Sequence, residues 1–485
     1  MSAGPVILWF RNDLRLSDHP ALAAAVRGRA PIIPLYILDE ISPGPWAMGA
    51  ASRWWLGQSL RALASELAAR GSRLILRRGD TRVELLRMAE GCKAEAIYFT
   101  RCYEPWAVLL ELTLRAKLTA RGIGFRRFGG RLLREPEEVL NKNGEPYRVY
   151  TPFWRAAFAD FAPAKAVPPP RRLSPVGDVA SDRLEDWQLL PIGPDWSSGL
   201  SKAWQPGESG AKARLSEFVG EKLRSYGEYR DRPDKAGTSR LSPHLAFGEI
   251  SAAACWRAAV EAAEKIRGTD HAVERFLQEL VWREFSYNLL YHWPSLPSQP
   301  WRKEFEGFAW LEDVAQLKAW KRGKTGYPIV DAGQRELWAT GYMHNRVRMI
   351  SASFLVKHLL IPWWIGEAWF WDTLVDADLA NNAASWQWVA GCGADAAPYF
   401  RILNPVLQGK RFDPEGKYVR RWVPELARLP TALIHEPWLA DTATLETADV
   451  KPGETYPRPI VSHEAARRRA LEAYERLKSV ATPRR

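Results

Sequence analysis

Cysteine is scarce in this chain: Cys92, Cys102, Cys255 and Cys392 are the four among 485 residues. They stand far apart with no CxxC spacing, which excludes a disulfide framework and speaks against a zinc or iron–sulfur centre, so no metal site is expected. Long apolar runs are missing too. The stretch 353-SFLVKHLLIPWWIG-366 is interrupted by Lys357, His358 and Pro362, and no membrane-spanning helix is expected. The N-terminus, 1-MSAGPVILWFRNDLRL-16, lacks the basic region, apolar stretch and cleavage site of a secretory signal. These absences together predict a reduced, cytoplasmic protein. Also absent is the glycine fingerprint of an ordinary dinucleotide site, because RNDLRL follows the first apolar run where GxGxxG would stand. A GxGxxA match at Gly391, Gly393 and Ala396 follows a tryptophan-rich segment instead of a strand and is discarded.

What the chain has in excess is tryptophan, 24 residues, and positive charge, a net +12. A basic surface attracts polyanions, and nucleic acid is the commonest in a cytosol; compositional bias toward solvated arginine is the plainer reading. With 46% hydrophobic residues the chain can bury a sizeable core, and its length calls for more than one domain.

The first 130 residues alternate apolar strands with amphipathic helices. Strands are expected at 5–10, 31–38, 73–78, 96–100 and 123–128. In the helix over 52–71, Leu56, Leu60, Leu63 and Leu67 share one face and Gly71 ends it. Alternating strands and helices imply a doubly wound parallel sheet over 1–130. A connector over 131–210 is rich in Pro, Gly, Ser and Asp in its second half. From 211 to 485 the pattern is helical, with Leu215, Phe218, Leu223 and Tyr226 on one face and further helices at 271–292, 328–340, 344–361 and 463–480. An all-α second domain follows. The basic 467-RRRALEAYERLK-478 reads as a solvated helix.

Four constellations carry chemistry. In 238-TSRLSPHLAFGEIS-251, hydroxyls and an arginine before a helix can hold phosphate oxygens, although such a run is also an ordinary cap. In the helix over 271–292, Glu279, Trp282 and Arg283 fall at i, i+3 and i+4, away from the apolar face of Val273, Phe276, Leu280 and Tyr287. They suggest a pocket, or else an exposed ion pair beside a tryptophan. Asn345, Arg348 and Met349 share a face, with an amide that donates and accepts beside a soft surface for a planar ring; the plainer reading is a core methionine near a surface asparagine. Asp376 and Asp378 open 376-DADLANN-382, where Asp376 could neutralise Arg348.

Taken together, RNDLRLSDHPAL, GTSRLSPHLAFGEIS, ELVWREF, KTGYPIVDAG, ATGYMHNRVRMI, DADLANN, WQWVAGCGADAAPYFRILNP and QGKRFD resemble, in order, the photolyase/cryptochrome family of flavoproteins. The pattern is most similar to bacterial enzymes that repair cyclobutane pyrimidine dimers, of the class near plant cryptochromes. The resemblance implies an N-terminal α/β antenna-type domain, a long connector and a helical domain binding FAD. It implies that Tyr226, Thr238, Ser239, Arg240, Leu241 and Ser242 hold the phosphates, that Gln278, Arg283, Arg348, Asp376 and Asp378 line the ribose and ring, and that Asn382 sits beside the redox-active nitrogen. It further implies that Trp386, Trp363 and Trp310 relay electrons inward to reduce the cofactor, which would explain part of the tryptophan excess. Glu279 would hydrogen-bond the dimer carbonyls, its pKa raised by burial. Trp282 and Trp388 would wall the cavity, Asn345 and Met349 would touch the dimer and adenine side, and Arg346 would clamp DNA phosphate. The damaged pair would be flipped out of the duplex.

Asparagine at 382, where plant cryptochromes typically carry aspartate, points to repair over signalling. A photoreceptor without repair activity is the alternative, and a helical nucleic-acid binder without cofactor a third. Specificity for (6–4) photoproducts is disfavoured, because His344 stands one position before Asn345. Members of the family carry methenyltetrahydrofolate, a deazaflavin, FMN or no antenna; the folate is the one expected here, yet Tyr103-Glu104 is followed by Pro105, Trp106 and Ala107, a departure from the family's folate pattern. The resemblance implies damaged DNA as partner and does not imply a protein partner; a monomer is expected.

Overall fold

Five strands within the first 130 residues form a single parallel sheet. A computed structural model describes residues 4–174, 177–190, 193, 195–396 and 400–481. Pro175, Pro191, Ile192 and Pro194 of the connector, and Ala397–Tyr399 of the tryptophan-rich motif, lie outside the described residues. The strands are β1 (Val6–Phe10), β2 (Ile32–Leu38), β3 (Ile75–Arg78), β4 (Ala96–Thr100) and β5 (Gly124–Phe128). They lie in the order β3-β2-β1-β4-β5, all pairs parallel. β1 and β2 are buried along their whole length, as central strands covered on both faces must be, whereas β5 at the edge is half exposed. Ile7, Trp9, Ile33, Leu35, Ile97 and Phe99 form one core with Leu85 and Leu114 from flanking helices. The helix Ala50–Ala68 buries Leu56, Leu60, Leu63 and Leu67 as its spacing requires, and Gly71 at φ 76° closes the turn beyond it.

Beyond β5 the described residues form no further strand, and the C-terminal half is helical. The helices Asp270–His292, Pro328–Thr340 and His463–Ala481 agree with the periodicity. Pro328 starts the second, and Gly341 at φ 65° ends it. Two expectations are corrected. The run expected at 344–361 is helical only over Asn345–Ser353, then widens into a π turn at Phe354–His358. The segment from Glu208 is broken by a π turn at Phe218–Lys222 and a 3₁₀ turn at Leu223–Ser225, although Leu215, Phe218, Leu223 and Tyr226 are all buried. Periodicity reports which face is buried; it does not register one extra residue in a turn.

The chain divides into two compact units. The first comprises Met1–Arg224, Ser239–Pro294 and Val375–Ala380; the second comprises Ser225–Thr238, Ser295–Leu374 and Asn381–Arg485. The division 1–130, 131–210 and 211–485 follows sequence texture, and compactness draws a different line. Within the first unit the connector returns to the sheet, with Leu76 N donating to Ser181 Oγ and Asp182 N to the Leu76 carbonyl. Glu284, on the helix Asp270–His292, accepts from the backbone N–H groups of Leu133 and Arg134.

Candidate functional site

Within the second unit, Trp386 lies on the helix Leu379–Ala390, packed so closely on the helix Trp363–Thr373 that only glycine fits at 366. A Cβ there would stand 2.5 Å from Trp386 Cζ3 and 2.7 Å from Leu355 Cδ2. The next residue, Glu367, is fully buried, and its backbone carbonyl accepts from Asn382 Nδ2 at 3.0 Å. Neither of its carboxyl oxygens has a hydrogen-bond partner among the described residues, and burial raises its pKa well above the ordinary 4.5. The Asn382 amide thus meets the backbone of Glu367, one residue from the close approach of Trp386 to Gly366. Glu367 carried no signal in the sequence, because nothing local tells a buried glutamate from an exposed one.

A second cluster in the same unit forms a small pocket lined by Arg346, Met349, Trp388, Lys357 and Arg401, among others. Three of these were expected to meet DNA; Lys357 and Arg401 were not. The π turn carries Lys357, which is buried, donates to the Ala390 carbonyl at 2.9 Å and lies 3.0 Å from the Phe400 ring centre. Desolvation pulls its pKa well below 10.5. Trp388 donates its indole N–H to the Asp395 carbonyl, and Asn345 is exposed at the start of its helix. His344 caps that helix, accepting from Arg346 N at 3.2 Å; burial, with Arg348 and Arg346 nearby, pulls its pKa down to about 4. Arg348 donates to the Met343 carbonyl, and the guanidinium of Arg230 lies over the buried Tyr226 ring.

Of the expected relay, Trp363 is fully buried and Trp310 half-buried. Trp364 was not anticipated: its ring centre is 5.7 Å from that of Trp363 and 6.0 Å from that of Trp310. Trp386 itself is in edge contact with Phe370 and Trp320.

The first unit holds the other expected residues except Thr238. Arg240 has a left-handed backbone, φ 50°, unusual for a side chain of its size, and its guanidinium lies 4.3 Å from the Trp204 ring centre. Ser239 Oγ accepts weakly from the N–H of the buried Leu241, and Ser242 Oγ donates to Asp376 at 2.6 Å. Asp378 accepts from the Tyr287 hydroxyl and lies 3.7 Å from Arg131. Arg283 is buried, donating to the Arg131 carbonyl and to Glu284, so it does not share an open face with Glu279 and Trp282. Glu279 is half-buried; the fully buried carboxyl of this helix is Glu284, which desolvation pushes up to about 7. The ring of Trp282 stacks on Tyr150 at 3.6 Å and 5°, and the Tyr150 hydroxyl donates to the Gln278 carbonyl. The Gln278 side chain bonds along its own helix to Glu274 and Arg275. Thr238, half-buried, closes the neighbouring segment of the second unit.

Residues 6–171 match the family described as DNA photolyase, and residues 276–476 match the FAD binding domain of DNA photolyase. A deoxyribodipyrimidine photo-lyase of Agrobacterium fabrum is 51% identical over 99% of both chains. The chain belongs to the photolyase/cryptochrome family. Cryptochrome-1 of Arabidopsis thaliana is 39% identical over 98% of this chain and 71% of its own length. Among solved structures, a bacterial class III photolyase from Agrobacterium tumefaciens superposes with a TM-score of 0.95 at 50% identity, over 99% of this chain and 98% of that one.

The residues present fit FAD. The buried carboxyl of Glu367 has no hydrogen-bond partner among the described residues, and the amide-like edge of a flavin ring could supply one. No helix among the described residues is long and apolar enough to cross a membrane, and none of their His, Cys, Asp and Glu side chains cluster as a metal site.

Proposed function

We propose that the protein is a DNA photolyase that splits cyclobutane pyrimidine dimers under light with FAD as cofactor. The observation that carries this reading is the meeting of Asn382, Glu367 and Trp386 inside the segment matching a photolyase FAD-binding domain. Tyr226, Thr238, Ser239, Arg240, Leu241 and Ser242 would hold the phosphates, and Gln278, Arg283, Arg348, Asp376, Asp378 and Asn382 the ribose and ring. Bound and reduced, FAD supplies the light-driven electron that the reaction needs. The chain does the rest. Trp310, Trp363 and Trp386 bring reducing electrons in from the surface. Trp282 and Trp388 give flat walls to a flipped-out pair, and a lesion with weakened pairing costs less to extrude. Asn345 and Met349 contact the extruded bases, Arg346 binds phosphate, and Glu279 hydrogen-bonds the pyrimidine carbonyls as negative charge builds there. Residues 1–130 would form an antenna domain, 131–210 a connector and 211–485 the catalytic part. Methenyltetrahydrofolate would be the antenna, and the protein a cytoplasmic monomer.

The similarity to plant cryptochrome favours one rival, a blue-light receptor without repair; Asn382 speaks against it. Purified protein with chemically reduced FAD should restore thymine-dimer DNA under blue light. Bound, reduced flavin without any restoration would decide for the receptor.

A further inference from the structure

Arg346 is held by an acid from a distant part of the same unit. Its Nη2 donates to Asp231 Oδ1 at 2.9 Å across 115 residues of chain. Its guanidinium carbon lies 4.5 Å from the Phe412 ring centre, and Nη1 is 3.8 Å from Met349 Sδ. The fork is half filled, because Nε, on the same edge as Nη2, is buried with no hydrogen-bond partner among the described residues. Arginine binds phosphate best along a whole edge, through two parallel N–H···O bonds. Asp234, three residues beyond Asp231 in sequence, is taken by both an Nε and an Nη2 bond from Arg232. The Arg346 side chain is 21% exposed and that of Asp231 37%, so the pair sits in a shallow recess.

We propose that Asp231 is a specificity-determining residue that holds Arg346 away from the phosphates of undamaged DNA. The inference rests on the reading of Arg346 as a DNA contact. Asp231 is a one-point stand-in for phosphate. A phosphodiester brought into the recess by DNA deformed around a lesion takes both Nε–H and Nη2–H, and displaces the carboxylate. A phosphate on regular duplex does not enter and meets an arginine already neutralised. Without the acid, the long arginine stem is free to swing out to any phosphate, since its charge does not depend on pH.

The experiment measures binding of full-length, flavin-loaded protein to matched duplexes with and without one thymine dimer, across a salt series. For Asp231→Asn, affinity for undamaged duplex should rise about two- to fivefold, the range of a partly exposed ion pair. Its salt dependence should steepen by about 0.9 in log–log slope, one more phosphate contact. Dimer DNA should gain less, so discrimination falls. Glu454→Gln removes one charge from an exposed pair with Lys451 and should leave both affinities unchanged. Unaltered or weaker binding of undamaged DNA in Asp231→Asn overturns the proposal, as does an equal gain on both duplexes or the same gain in Glu454→Gln. Arg346→Gln separates the two levels. If it weakens dimer binding while Asp231→Asn does nothing, the inference fails and the reading of Arg346 stands. If it changes nothing, both fall.

Discussion

Adding one methyl group at Gly366 sets two opposed effects against each other. The residue lies inside the helix Trp363–Thr373, where alanine is favoured over glycine by about 1 kcal/mol. Against this stands overpacking. The new Cβ would be 2.5 Å from Trp386 Cζ3, closer still to Cη2, and 2.7 Å from Leu355 Cδ2. Neither neighbour can yield cheaply: Trp386 is 2% exposed and pressed by Phe370 at 5.0 Å and Trp320 at 6.3 Å, and Leu355 is fully buried. Overpacking of this kind typically costs about 1–3 kcal/mol, and three contacts below 3.0 Å place Gly366→Ala at the upper end. The net loss is about 2 kcal/mol, or roughly 4–8 °C in thermal midpoint for a unit of this size. Gly220→Ala is the control, since an added Cβ there meets nothing within 4 Å; its midpoint should hold or rise. A scan of both variants in flavin-loaded protein decides the matter. The displaced indole should also slow light-driven reduction of the bound flavin in Gly366→Ala. Should Gly366→Ala melt at or above the wild-type temperature, the close approach of Trp386 to the helix is wrong, and with it the meeting of Trp386, Glu367 and Asn382.

The buried His344 has its pKa lowered from 6.5 to about 4, so its contribution to stability is complete above pH 6.5 and lost as pH falls through about 4. That gap is worth at most about 3 kcal/mol, and His344→Asn, which keeps a capping side chain, should flatten the acid limb of a denaturation series; an identical limb refutes the assignment. Lys357→Met should raise the thermal midpoint, because a desolvated ammonium is exchanged for an apolar chain of similar volume, a gain of about 1 kcal/mol or more; a lowered midpoint would mean the charge is better satisfied than its one carbonyl and one ring imply. Tyr150→Leu removes the ring stacked on Trp282, a contact worth about 0.5–1.5 kcal/mol beyond area, and should weaken binding of dimer DNA in a competition assay. Unchanged affinity would show that Trp282 needs no such support.

Sequence alone determined the elements whose physics is local. β1 and β2 are continuous apolar runs between chain breakers, so their extent was readable from hydropathy, and Ala50–Ala68 announced its buried face by the spacing of four leucines. The order of short motifs was enough to indicate the family, because each motif keeps its chemistry in residue type and spacing. Tertiary structure alone decided what depends on which distant atoms come near. Glu367 becomes a buried carboxyl without a partner among the described residues because other segments cover it, while Glu279, expected to be the buried acid, stays half-buried. Trp364 gains its position between two indoles, and Trp282 its stacking partner Tyr150, from chain crossings that no period records. The pairing of Asp231 with Arg346 spans 115 residues. Burial and charge pairing are properties of the surroundings, and the surroundings of a side chain are set by the whole fold rather than by its neighbours in sequence.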